Sequence, residues 1–339
     1  MAGITHLQEF SKETLRGFVD ESLEARVPTV VDRYMKNDVT YDTNFAYDII
    51  KRSNHIAAMI GLGAEKPVVD RHATAKVMGE LAHFGLQDVI TIEELYAINQ
   101  ARNSGEQAAM VDKLLNRAAD LLDALDLRIQ VEKMKAVGLG KNVYNKNGVK
   151  VELDYQIPAN HKIVLTSGND WNDVNRDVIG DLLTWDKTYR DTNKKKADAI
   201  WMTREMLSKL TKNVLIIAEA GRPAGSTRAS EAEVRTVLAG FGLPEIVIIE
   251  DTEATVKDIE TGNEETIEFF PKNRVVFISE GVGEFLTGPN PDDANFAPVR
   301  TLEAFDLRTP KRSIFEVAQT GFAVVDNPSL LLHADVVPA

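Results

Sequence analysis

The stretch KAVGLGKNVYNKNGVKVELDY, Lys135 to Tyr155, decides between two kinds of protein. It holds Gly138-Leu139-Gly140-Lys141, a glycine pair and a lysine of the sort that can cradle a phosphate. A phosphate loop needs another glycine five residues before Gly140 and a Ser or Thr after Lys141. Those positions hold Lys135 and Asn142. It also needs a strand before it and a helix after it, so that a helix N-terminus faces the anion. Here helical periodicity precedes the glycines, and the C-terminal end of a helix repels anions. Gly138 and Gly140 therefore read as a helix C-cap, with Lys141 near the helix end. Beyond them Val149, Val151, Leu153 and Tyr155 alternate with Lys150, Glu152 and Asp154, which is strand periodicity. Asn147-Gly148 just before is a strong turn signal. The stretch is a corner from helix into sheet.

Working back from the corner, Ser104 and Gln107 form a capping box that opens the longest predicted helix, residues 105–137. Val111, Leu115, Ala118, Leu122, Leu125 and Ile129 recur in steps of four and three, which places them on one stripe. At 1.5 Å per residue the helix is roughly 48 Å long, about three times the usual globular length. One apolar stripe that stops near Glu132 describes a strut lying across a sheet. Thr91 and Glu94 cap a shorter helix before it. Residues 46–90 hold strand-like runs around a Gly-Leu-Gly-Ala-Glu-Lys-Pro centre, with Gly61, Gly63 and Lys66, and read as a long finger. Residues 1–45 contain one amphipathic piece, Lys12 to Ala25 behind a Ser11 N-cap, and otherwise read as an extended arm with little core of its own.

Working forward, Pro158-Ala159-Asn160 makes a turn, and Ile163 and Leu165 continue the meander. Val174, Val178, Leu182, Trp185 and Tyr189 have helical spacing between Trp171 and Arg190. Strands AIWM (199–202) and VLIIA (214–218) then alternate with helices from Thr203 and from the Ser230–Glu233 capping box. EIVIIE is a strand, and ATVKDIETGNEETIEFF is a hairpin turning at Thr261-Gly262-Asn263. Strand RVVFIS (274–279) leads to a Gly/Pro-rich loop, 281–299, and the tail reads as strands around Asn327-Pro328.

The bulk numbers narrow the function. A chain of 339 residues, 44% hydrophobic and 27% charged, can build a substantial core, in two domains or one large one. Its net charge of −13 argues against general nucleic-acid binding, which needs a basic face. With no cysteine there is no disulfide, thiolate metal site or cysteine nucleophile. The N-terminus lacks a signal-type apolar core, and no apolar run is long enough to span a bilayer. His6, His55, His72, His83, His161 and His333 lack metal-pair spacing, and no serine sits in a Gly-x-Ser-x-Gly elbow. Gly281 and Gly283 brush against a dinucleotide fingerprint, but Leu286 stands where its third glycine belongs. The acidic run Glu250 to Glu268 and the basic run Asn193 to Asp198 read as solvated surface. No catalytic, metal or cofactor residue is assigned.

Four segments in order resemble the major capsid proteins of tailed phages, the lambda-type capsid protein E family. They are DVITIEEL before the strut helix, AVGLGKNVYNKNGVKVELDY, WNDVNRDVIGDLLTW and PKNRVVFISEGVGEFLTGP. The similarity runs from about residue 40 to the C-terminus, and its specificity lies in order and spacing. The resemblance implies an α+β Hong Kong 97-like phage capsid fold. Mapped here it gives an N-terminal arm at 1–45, an E-loop region at 46–90 and a peripheral domain at 91–169 with spine helix 105–137. The axial domain is 170–310, and C-terminal strands 311–339 return to the peripheral domain. It implies a major capsid protein that assembles into hexamers and pentamers of an icosahedral shell, which matures by rearrangement. It also implies a scaffolding protein, a portal, a decoration protein as an option and enclosed double-stranded DNA held without sequence-specific contacts. The site would be the virion, with synthesis in host cytoplasm and no membrane. Gly61, Gly63, Lys66, Leu115, Leu122, Ile129, Gly138, Gly140 and Lys141 are the residues expected to matter for assembly. A two-domain α/β enzyme built on 170–310 and a minor or decoration virion protein stand as the alternatives.

Overall fold

The computed structural model describes residues 3–42, 44–50, 74–80, 82–101, 104–146, 149–223, 225–257 and 263–338. After two 3-10 turns, Ile4–His6 and Gln8–Phe10, α1 (Lys12–Ala25) starts where the Ser11 hydroxyl accepts the Thr14 amide. Strands β1 (Met35–Val39), β2 (Asn44–Ile50), β3 (Thr74–Glu80) and β4 (Ala82–Ile90) follow. The Thr91–Glu94 capping box opens α2 (Ile92–Asn99), and α3 runs unbroken over 36 residues, Ser104–Leu139. Past the glycine corner, β5 (Lys141–Lys146) and β6 (Val149–Asp154) pair antiparallel as a two-stranded ribbon of their own, followed by β7 (Lys162–Val164).

The next segment alternates: α4 (Val178–Asn193), β8 (Ala199–Thr203), α5 (Arg204–Lys212), α6 (Val214–Glu219), α7 (Glu231–Gly240) and β9 (Glu245–Ile249). A ribbon of β10 (Glu253–Lys257) and β11 (Glu264–Glu268) comes next; its turn at Thr261-Gly262 lies outside the described residues. Strands β12 (Arg274–Ile278), β13 (Gly283–Gly288), β14 (Thr301–Arg308), β15 (Lys311–Val324) and β16 (Leu331–Asp335) complete the chain.

Three local expectations fail for identifiable reasons. The run VLIIA is helix α6 rather than a strand, because the Asn213 side chain accepts the amides of Leu215 and Ile216 and starts a helix there. A short apolar run has no periodicity to tell the two apart. Helix α4 begins at Val178, not Trp171, because Asp177 accepts the Gly180 amide at 2.8 Å and fixes the start. The loop 281–299 contains β13.

The chain forms two compact units. One comprises Met1–Phe45, Met78–Lys133 and Phe285–Val324. Its sheet runs β1-β13-β15-β14, with β4 paired to β15 from Ile90–Ser313 to Ala82–Gly321. The α3 stripe packs into this unit's core: Val111, Leu114, Ala118, Leu122 and Leu125 join Ile90, Leu95, Phe315 and Val317. The N-terminal arm departs from expectation. Ile4, Phe10, Leu15 and Val19 belong to the same core, and the Phe10 ring lies 5.4 Å from that of Phe315. The 3-10 turns and α1 give the arm an apolar face, which it buries on its own chain.

The other unit comprises Ala46–Val77, Met134–Glu284 and Val325–Ala339. Its sheet is β7-β16-β12-β8-β9, with β16 parallel to β7 and β8 parallel to β9. Trp201, Phe277, Leu182, Tyr189, Leu331 and Leu332 are fully buried around it. The expected segment boundaries shift accordingly. Residues 134–169 separate from 91–133, and 325–339 separate from 311–324. The cause is strand pairing: β16 bonds β12 and β7, which ties the C-terminus to this sheet.

Candidate functional site

The end of α3 is closed by groups distant in sequence. Four carbonyls at a helix C-terminus lack intrahelical partners. Here the Arg274 guanidinium donates to the Gly138 carbonyl at 2.9 Å, and His333 Nε2 donates to that of Val137 at 2.8 Å. Arg274 is itself held by Asp335, at 2.6 and 2.9 Å, and its positive charge suits the negative end of the helix. His333 is buried, which together with the Arg274 charge depresses its pKa to about 3. It is therefore neutral, with Nδ1 toward Arg274 at 3.4 Å.

The two glycines are required by space and by backbone. A Cβ on Gly138 would lie 2.6 Å from the Phe269 carbonyl oxygen and 2.8 Å from the Phe270 ring. Gly140 has φ +68°, a left-handed conformation, and a Cβ there would lie 2.5 Å from Ile157. The Gly140 carbonyl accepts the Tyr155 amide at 3.2 Å, closing the base of the ribbon. The space around the glycines is filled by Phe270, Ile157 and His333, so it cradles side chains, not a phosphate. Lys141 opens β5 opposite Asp154 and is exposed.

In the first unit, α3 carries a cluster of charges. Lys133 is wholly buried, with Nζ 2.5 Å from Asp32 Oδ1 and 6.0 Å from the centre of the Phe285 ring. Asp32 also accepts the Thr29 amide at 2.8 Å and lies 3.3 Å from Arg26. Arg26 approaches Asp126 at 3.8 Å, and Arg300, its side chain 3% exposed, donates to Asp126 at 2.7 Å and to Gln319 at 3.0 Å. Burial pushes the Lys133 ammonium down. Burial alone would raise the Asp32 carboxyl, but hydrogen bonds from Lys133 and Thr29 outweigh it and hold the group below the usual carboxylate range. The cluster fastens the segment after α1 to the helix and to the sheet strands of the same unit.

Of the residues expected to matter, Gly138 and Gly140 meet at the corner, while Leu122 and Ile129 are buried on the stripe. Leu115 is only half-buried, and Leu114 takes the core position. Gly61, Gly63 and Lys66 lie outside the described residues. Sequence reasoning missed Lys133, Asp32, Arg26, Asp126, Arg300, Arg274 and His333. One signal was present: Lys133 and Asp126, seven apart, stand on a face of α3 that its later turns bury. Among the described residues no group of three or more His, Asp or Glu side chains could hold a metal ion, and no helix is long and apolar enough to cross a membrane.

The architecture has relatives among solved structures. A protein described as a prophage capsid protein, from E. coli CFT073, superposes with a TM-score of 0.60 at 13% identity, over 96% of this chain and 99% of its own. A phage-related protein from Bordetella bronchiseptica RB50 gives 0.58 at 12% identity, over 96% and 98%. The capsid of the cyanophage P-SCSP1u gives 0.51 at 10% identity, over 100% and 96%. The fold is thus a mixed α/β fold of the Hong Kong 97-like kind. Residues 21–312 match the phage major capsid protein E family, and the chain belongs to it. Its role is structural: copies associate into the capsid shell of the virion. No curated protein matches it in sequence.

Proposed function

We propose that the chain forms hexamers and pentamers that close into an icosahedral head around double-stranded DNA, and that the shell matures by rearrangement rather than by catalysis. The observation that carries this is α3, an unbroken 36-residue helix, in a chain of the major capsid protein E family. A single unbroken helix of this length is an element that a shell rearrangement can shift as a body. Residues 91–133 and Phe285–Val324 of the first unit correspond to a peripheral domain, with residues 1–45 as its arm. The unit containing Met134–Glu284 corresponds to an axial domain, and residues 46–90 supply the E-loop. The net charge of −13 supports a shell that encloses DNA without gripping it. A scaffolding protein, a portal and in some heads a decoration protein complete the partner set, and synthesis is in the host cytoplasm. The test is electron microscopy of the purified chain, with scaffold supplied. Closed shells with fivefold vertices support the reading; a chain that stays monomeric at every concentration overturns it. A nucleotide that raises the melting temperature would point instead to an enzyme built on 170–310.

A further inference from the structure

Two charged features of the unit containing Met134–Glu284 have no role in what precedes. The first is the corner after α4. Lys194 takes a left-handed conformation, φ 54°, and its amide donates to the Arg190 carbonyl at 2.8 Å. This turns Lys194, Lys195 and Lys196 off the helix as a corner, with Lys194 and Lys196 exposed. Neighbouring cations are already matched: Lys187 pairs with Asp191 at 2.7 Å, and Arg190 pairs with Asp186 at 2.5 Å. None of the three corner lysines forms an ion pair among the described residues; at longer range Lys194 acts on Asp191 and Lys196 on Asp186.

The second feature is the β10–β11 ribbon, which has no third strand among the described residues. One face carries Glu253, Thr255 and Lys257 opposite Glu268, Thr266 and Glu264, all exposed. Glu253 is taken by Lys272 at 2.9 Å; Glu268 acts on the same Lys272 at longer range and Glu264 stands across the ribbon from Lys257, but neither forms an ion pair among the described residues. The other face is half-buried Ala254, Val256 and Ile267, with half-buried Glu265 opposite Val256. A two-stranded ribbon by itself is marginal in water, so a partner that covers it stabilises it.

The sheet holds the two features apart. Strands β8 and β9 run parallel, from Ala199–Glu245 to Thr203–Ile249. The lysine corner leads into Ala199, and the Asp198 amide bonds the Ile278 carbonyl at that end. The ribbon leaves from the opposite end, where the amides of Phe269 and Phe270 bond the Thr252 carbonyl. Ala199 and Thr203 alone are roughly 13 Å apart at strand rise. That exceeds the Debye length of about 8 Å at physiological salt, so the two charges do not neutralise each other within one chain.

We infer that the Lys194–Lys196 corner of one copy takes the Glu264/Glu268 face of the next copy's ribbon. Opposite charges at opposite ends of one rigid sheet make a head-to-tail contact, and such a contact closes into a ring when the rotation allows. Each exposed ion pair is weak and screened by salt, so the contact selects register and partner, and gains strength by repetition around the ring. This inference rests on the shell-forming reading.

The test compares three chains with the wild type. One carries Lys194→Glu, Lys195→Glu and Lys196→Glu; one carries Glu264→Lys and Glu268→Lys; the third carries all five. All should keep the wild-type circular dichroism and melting temperature, since the positions lie on the surface. Shell yield should fall about tenfold or more for the first two chains and return for the third, which restores complementarity with the signs exchanged. Normal shells from either single-feature chain, or no recovery in the third, would overturn the inference while wild-type shells kept the shell-forming reading intact. Failure of the wild type itself counts against that reading instead. Normal shells from the lysine variant that enclose less DNA would assign the lysines to the nucleic acid and likewise overturn the contact. Should a reversed chain melt early, Lys→Gln and Glu→Gln versions at the same positions carry the test: unchanged yield overturns it.

Discussion

The two ends of α3 are made in different ways. From Val111 to Ile129 the helix buries one stripe, and Asp112, Lys113, Asn116, Asp120 and Asp123 face solvent between the apolar positions. From Val131 to Gly138 every residue is buried. An amphipathic helix needs only an apolar stripe and tolerates much on its outer face. An enclosed helix end must instead find a partner for every polar group it buries. Glu132 accordingly pairs with Arg128 at 2.7 Å, Lys133 with Asp32, and the last carbonyls with Arg274 and His333. The lesson is that loss of periodicity marks the place where specific chemistry, and not pattern, holds the helix.

The sharpest way to break this contrast is at the corner. Gly138→Val would push a branched side chain into the Phe269 carbonyl and the Phe270 ring, neither of which is a flexible tip. We expect a loss of about 4 kcal/mol, at the high end for a single substitution, and no shells. Gly140→Val adds left-handed strain to its clash with Ile157 and should behave similarly. Urea unfolding of the unassembled subunit together with shell yield checks both. Wild-type shells from either variant would show that the corner is not closed as described.

The next largest effect tests the buried charge. Lys133→Met leaves Asp32 with Arg26 and Thr29 only, and should cost about 3 kcal/mol, the low end for a broken buried pair. Asp32 keeps some exposure, 16% of its side chain, which limits the loss. Adding Asp32→Asn removes the stranded charge but keeps an acceptor for the Thr29 amide. The double variant should then recover most of the loss, and a urea double-mutant cycle measures the coupling. Strictly additive losses would mean that the two groups do not act as a pair.

How far the sequence carried follows from the same contrast. Helix α3 was expected at 105–137 and spans Ser104–Leu139, because a stripe of six apolar positions is a local signal. The caps at Ser11, Thr91 and Ser230 were legible for the same reason, each resting on residues three apart. Gly138 and Gly140 were legible as a helix stop, but the groups that make them necessary were not. His333 reaches Val137 across 196 positions, and Lys133 reaches Asp32 across 101. No local pattern encodes such pairings. The arm misled for a related reason: its apolar residues, Ile4, Phe10, Leu15 and Val19, are too sparse to announce a core that strands β14 and β15 complete from the far end of the chain. VLIIA misled because the helix there is set by one residue, Asn213, outside the apolar run.

The smallest effect is the one with a pH signature. His333 has a folded-state pKa of about 3, against an unfolded value near 6.5. Between those values the unfolded chain binds a proton that the folded chain refuses, so stability falls as the pH falls. Above pH 6.5 the contribution is complete. At pH 5.5 the loss from this one group is about 1.4 kcal/mol. Asp32 acts in a lower window, because its carboxyl is depressed and its contribution goes only below the ordinary carboxylate range. His161, whose pKa burial also lowers, keeps its own share of the slope. His333→Asn retains a donor for the Val137 carbonyl and removes the titrating ring. Its melting temperature should therefore decline less than that of the wild type between pH 7 and pH 5, and converge with it at the acid end. Parallel curves over that range would mean that the ring at the end of α3 is not held neutral, and that the helix is capped by Arg274 alone.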